Sequence, residues 1–294
     1  MDIRNIKIEA PKITDGRYLE AIYDLEMDLL KGYCGKIEKD LPLPPIDINS
    51  FKGQQILKDF SARVIEETAE GYESTSAVIE IFEKYGYNRD LLTKNEWQMV
   101  LNHLQNSNEE QADGLAFYMA LLGYANLQIS DVYDYINHLL DKKGFDDSIK
   151  VYSIQGLFEI GKYLLINDLD LDLDNVKPYI LLDRDDIEDL DLDVDKVLSY
   201  IPAFRKSSKE IHRIEDHLLW QVAYHLCISR NYLKNKPWKQ TQELTDITRY
   251  SANVILGLVK YLGYLYYIGF TPESLYTLCF KKNQVNRFRQ RSNY

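Results

Sequence analysis

Residues 50–73 read SFKGQQILKDFSARVIEETAEGYE, and Phe51, Ile56, Phe60 and Val64 recur at a spacing that sets them on one helical face. The pattern predicts a long helix from Ser50 to Glu73, and its polar side carries Glu66, Glu67 and Glu70. Further along, a shorter helix is expected from Asn95 to Leu104, and another from Asn108 to Tyr124 holds Glu110 and Asp113. Within Glu67/Glu70 and within Glu110/Asp113, the three-residue offset puts both carboxylates on one face, one turn apart. If the two faces meet, four oxygen ligands converge on a point suited to a hard divalent cation such as Mg²⁺. Such a cage points to a metal-dependent enzyme acting on phosphates.

The rest of the chain extends the helical reading. With 294 residues, 45% hydrophobic and 28% charged, it can bury a sizeable core, and only 14 Gly and 8 Pro interrupt it, so the fold class is all-α. A first helix is expected from Arg17 to Lys36, and the prolines of Leu41-Pro-Leu-Pro-Pro45 force an extended connection after it. Capped helices at 130–140 and 148–166 follow the acidic pairs. Beyond them, Ser207-Ser-Lys-Glu210 offers a capping box for a helix to Leu233, and Asp246 to Phe270 is a strongly apolar helix suited to a core. No apolar signal region opens the sequence and no run of about 18 apolar residues occurs, so a soluble, cytoplasmic protein with no membrane partner is expected. Cys34, Cys227 and Cys279 lack pairing or CxxC spacing, and His212, His217 and His225 lack zinc-ligand spacing, so neither disulfide nor zinc chemistry is indicated.

The net charge of −11 is local: Asp168 to Asp195 holds twelve acids against Lys177 and Arg184, a balance of −10. This acidic stretch repeats at a 21-residue offset, Ile166 to Ile180 against Ile187 to Ile201. The glycine and terminal glutamate that close a calcium-binding EF-hand loop are missing from it. Instead, [Ser/Asp]-x-Val-x-x-Tyr-Ile recurs at Ser130, Asp174 and Asp195, the pattern of short capped helices. Three regions are therefore expected: a metal-binding half (1–140), an acidic helical insert (141–206) and a second half (207–294). The halves read as a degenerate duplication. Leu122-Gly123-Tyr124 is matched by Leu262-Gly263-Tyr264 at an offset of 140, which projects Glu110 onto Tyr250 and Asp113 onto Asn253.

Together, Glu66-Glu67-x-x-Glu70 and Glu110-x-x-Asp113 resemble the EExxE and ExxD helices of the all-α nucleoside triphosphate pyrophosphatases, the superfamily of MazG-like enzymes and dimeric dUTPases. The segment Lys282-Asn283-Gln-Val-Asn286-Arg-Phe-Arg289-Gln290 is similar to the closing KNxxNxxRQ of dimeric dUTPases and of the T-even phage dCTP/dUTP pyrophosphatases. Lys236-Pro237-Trp238-Lys239 is similar to a basic tryptophan loop in the phage enzymes. The resemblance covers residues 17–125 and 208–294. It implies a hydrolase that splits dUTP into dUMP and diphosphate, with dCTP or another dNTP as the alternative, on two or more Mg²⁺ ions. In that scheme Glu67, Glu70, Glu110 and Asp113 are the metal ligands, and Glu66 or Glu67 takes the proton of the attacking water. Lys282, Asn286, Arg289, Gln290 and Lys239 bind phosphates, Glu26 stands at a base-reading place on the first helix, and the family suggests a homodimer.

Simpler readings exist for each feature alone. Acidic helix faces are commonly just solvated, Ser107-x-x-Glu110 fits a capping box, and the cationic C-terminus could touch nucleic acid. No wider basic surface supports that last reading, so no nucleic-acid partner is expected. A decayed scaffold serving only binding or assembly is the competing class. The three features in one chain, in the family's order, favour the enzyme.

Overall fold

A computed structural model gives the structure of residues 3, 7–146, 149–167, 179–180, 197, 201, 206–207, 209–234 and 244–292. The fold is an all-α bundle. Its helices are α1 (Tyr18–Tyr33), α2 (Phe51–Glu83), α3 (Lys94–Tyr124), α4 (Ile129–Lys142), α5 (Ile154–Asn167), α6 (Lys209–Tyr232), α7 (Ile247–Tyr267) and α8 (Pro272–Arg291). A two-residue antiparallel pairing of Tyr179–Ile180 with Lys206–Ser207 is the extended structure among the described residues. None of these helices is by itself long and apolar enough to cross a membrane.

Local chemistry fixes where the helices start. The Ser50 hydroxyl accepts from the Gly53 N–H, Thr93 and Glu96 form a reciprocal capping box, and Thr271 and Ser274 do the same ahead of Pro272. Two expected helix ends move. α2 continues ten residues past Glu73, because the Thr75 and Ser76 hydroxyls bond back to the carbonyls of Gly71 and Tyr72 and do not compete for the chain. The break expected before Asn108 does not occur: Ser107 is fully buried against Thr75 at 3.2 Å within the helix, and α3 runs unbroken for 31 residues.

The core is built from two helical hairpins, α2 with α3 and α6 with α7. α1 and α8 lie against the first hairpin, and α5 lies against α7. Glycines set the closest crossings. A Cβ on Gly263 would stand 2.2 Å from the Gly161 carbonyl carbon, so α5 and α7 meet backbone to backbone. At the matching place in the first half, a Cβ on Gly123 would stand 2.5 Å from Met27 Sδ of α1. The order of helices in α1–α4 is paralleled in α5–α8, each with a hairpin in the middle.

Part of the expected insert, 141–206, packs into the bundle. Ile154, Leu157 and Phe158 of α5 are buried in the main core. Further on, Val197 and Ile201 are joined by an i,i+4 backbone bond, and both are buried against Phe82, Trp97 and Leu101 at the far end of the first hairpin. The acidic residues 168–178 and 183–195 of the repeat, and the basic loop containing Lys239, lie outside the described residues.

Candidate active site

Each acidic motif is followed directly by a glycine, Glu70-Gly71 and Asp113-Gly114. A mid-helix glycine costs about 1 kcal/mol against alanine, so it implies a packing demand. The demand is the crossing of α2 and α3. A Cβ on Gly71 would stand 2.3 Å from Gln111 Nε2, and one on Gly114 would stand 2.7 Å from the Tyr261 hydroxyl and 3.6 Å from Glu67 Cβ. The Tyr261 hydroxyl in turn donates to the Gln111 carbonyl at 2.7 Å, which anchors the second hairpin behind the crossing. Gly71, Gln111, Gly114 and Tyr261 had no place in the motif-based reading, although the repeated acid–glycine step marked the first and third of them.

Close approach brings the acids together. One carboxylate oxygen each from Glu67, Glu70 and Glu110 lies within 4.8 Å of the other two. Burial, reinforced by the hydrogen bond to Glu110 and the charges of Asp113, Glu110 and Glu70, pushes the Glu67 carboxyl well above its ordinary pKa. Glu110 is raised as well, first by burial, with Glu67 and Lys282 pulling the other way. Burial and mutual repulsion thus both oppose full ionisation of Glu67 and Glu110. Glu66, one residue earlier on α2, is exposed and is not part of the three-oxygen group.

Asp113 and Lys282 are arranged differently from the expectation. Lys282 Nζ lies 2.7 Å from Asp113 Oδ2 and 3.2 Å from Glu109 Oε2, so this lysine is committed to carboxylates and Asp113 stands outside the group of three. Burial opposes the Lys282 ammonium, yet Asp113 and Glu109 outweigh it and raise its pKa. The basic C-terminus is not a loose arm. It forms α8, held to α1 by Asn283 Nδ2 donating to the Leu25 carbonyl at 2.9 Å and Gln290 Nε2 to the Leu29 carbonyl at 3.3 Å.

Beside the acids, a cavity of about 530 Å³ opens between α1, α2, α3 and α8. Asp113 lines it, as do Asn286, Arg289 and Gln290, so three residues expected to bind phosphate face the same space as one expected ligand. Arg63 lies over the Phe117 ring, 5.5 Å from its centroid, and both line the cavity, as does Phe60; periodicity alone marked only Phe60. Glu26 also lines it. The side chain is only 8% exposed and has no hydrogen-bond or ion-pair partner among the described residues. Burial, with the Asp113 charge nearby, pushes its carboxyl up to about 8, so at neutral pH it is an acid with one O–H to give and one C=O to accept. No model of a known protein family matches this sequence, and no curated protein or solved structure does either.

Proposed function

We propose that this chain is a divalent-metal-dependent deoxynucleoside triphosphate pyrophosphatase, hydrolysing dUTP to dUMP and diphosphate, with dCTP as the alternative substrate. The observation that carries the reading is the adjacency of two chemically different features. Three carboxylates gather within 4.8 Å, and a cavity lined by Asp113, Asn286, Arg289 and Gln290 opens at Asp113, whose charge acts on Glu67 and Glu110. The donor set is all oxygen and anionic, which fits Mg²⁺ better than a softer metal. Bound there, Mg²⁺ would neutralise phosphate charge and lower the pKa of an attacking water.

The chain's own groups divide the remaining work. Glu67, Glu70 and Glu110 hold the cation, and the Glu67 carboxylate is the group suited to take the proton of the attacking water. Arg289, Asn286 and Gln290 bind the oxygens of the bound nucleotide, where Arg289 offers a planar, permanently charged fork. Phe60 and Phe117 offer apolar walls to a base, and Glu26 offers it a donor and an acceptor.

The test is purified protein with Mg²⁺ and each dNTP in turn, scored for monophosphate and diphosphate. Turnover of a pyrimidine nucleotide, lost on chelation, is the expected result. No release from any nucleotide would remove the enzyme and leave a helical binding protein.

A further inference from the structure

We propose that the Lys282 ammonium stands in for a second divalent cation, so that the site takes a single metal ion, at Glu67, Glu70 and Glu110. This rests on the metal-binding reading above and narrows it.

Five carboxylates meet where α2 crosses α3, and the structure divides them into two groups. Glu67, Glu70 and Glu110 have oxygens mutually within 4.8 Å and enclose space for one cation. Asp113 and Glu109 are bridged by Lys282 Nζ at 2.7 and 3.2 Å. Two-metal phosphate enzymes set their cations about 3.5–4 Å apart and share carboxylates between them. Here the carboxylates that would hold the second ion already hold an ammonium, which repels a dication on its own ground.

Backbone anchoring makes this more than a chance surface pair. Lys282 is 13% exposed, and its neighbour Asn283 donates to the Leu25 carbonyl at 2.9 Å, which fixes the turn of α8 from which the ammonium projects. An ammonium is a compact point charge with three donors, and Asp113 and Glu109 take two of them. A resident lysine thus supplies at all times the positive charge that a second ion would supply only when bound. Glu26, buried and unpartnered on the wall that Asp113 shares, marks the adjoining cavity as the place of the ligand.

The experiment is Mn²⁺ binding to the full chain, followed by electron paramagnetic resonance and equilibrium dialysis, counting only ions lost when Glu67→Gln and Asp113→Asn are combined. The wild type is expected to bind one Mn²⁺ per chain, Lys282→Arg one, and Lys282→Met two, with circular dichroism confirming that each variant is folded. Two ions in the wild type, or one in folded Lys282→Met, overturns the proposal while leaving the metal-dependent reading in place. Should Lys282→Met not fold, the wild-type count still decides between one ion and two. No Mn²⁺ bound by the wild type overturns the metal-dependent reading itself, and this proposal with it.

Discussion

Where α2 crosses α3, Gly71 and Gly114 let the backbones close and a bank of carboxylates fills the flank. In the second hairpin, the positions that project from Glu110 and Asp113 hold Tyr250, fully buried, and Asn253, whose Oδ1 lies 3.3 Å from His225 Nδ1. One helical hairpin is thus filled with an aromatic ring and a neutral amide, the other with acids that repel one another and sit at raised pKa. The contrast teaches that this architecture closes without the acids. Packing alone therefore does not call for the acids at the matching positions of the first hairpin.

The comparison breaks most sharply at the acids. Glu67→Gln should lower Mg²⁺-dependent dNTP hydrolysis by about 10³-fold, while its metal-free melting temperature rises, because a neutral amide relieves the repulsion. A lower melting temperature would mean that the acids serve the fold after all. Glycine substitutions should separate the hairpins next. Gly263→Ala meets Gly161 backbone at 2.2 Å, which cannot yield, and should cost about 3 kcal/mol in urea unfolding without weakening Mn²⁺ binding. Gly71→Ala meets the tip of Gln111 at 2.3 Å, and should cost about 1–2 kcal/mol but weaken Mn²⁺ binding, since Glu110 precedes the displaced residue.

Glu26 gives a pH dependence. Its carboxyl rises from an ordinary 4.5 to about 8 on folding, so the stabilising proton is fully present below about pH 4.5 and is lost as pH climbs through 8. Glu26→Gln keeps the donor and acceptor without the titration. Its stability should gain on the wild type by about 3 kcal/mol between pH 5 and pH 8 in metal-free urea titrations, and parallel curves would show that Glu26 is already ionised. The smallest effect is expected from Asn253→Asp. One acid in the second hairpin makes no cage, so it should change stability by under about 1 kcal/mol at neutral pH and add no Mn²⁺ site.

Much of this was legible in the sequence, for identifiable reasons. Helical periodicity at Phe60 and Val64, and the i,i+3 acids, report directly on which face a residue occupies, so the bundle and the Glu67–Glu70–Glu110 group could both be anticipated. Helix ends were misjudged where serine and threonine cluster, because a sequence does not say whether a hydroxyl bonds to its own helix, as Thr75 does, or caps a new one. The partners of Lys282 were illegible for another reason. Periodicity places a residue on its own helix, and says nothing of which of several acids a distant cation will choose. Arg63 and Phe117 share that obstacle, since their stacking depends on how two helices are rotated against each other.

The bridge from Lys282 to Glu109 spans 173 residues of chain. Synthesis runs from the N-terminus, so the acidic hairpin leaves the ribosome long before the helix that neutralises Asp113 and supplies Arg289, Asn286 and Gln290. A nascent chain that carries α2 and α3 but not yet α8 has the carboxylates without Lys282 or the cavity wall that α8 supplies. The candidate site therefore comes together only when α8 packs onto a hairpin made well before it.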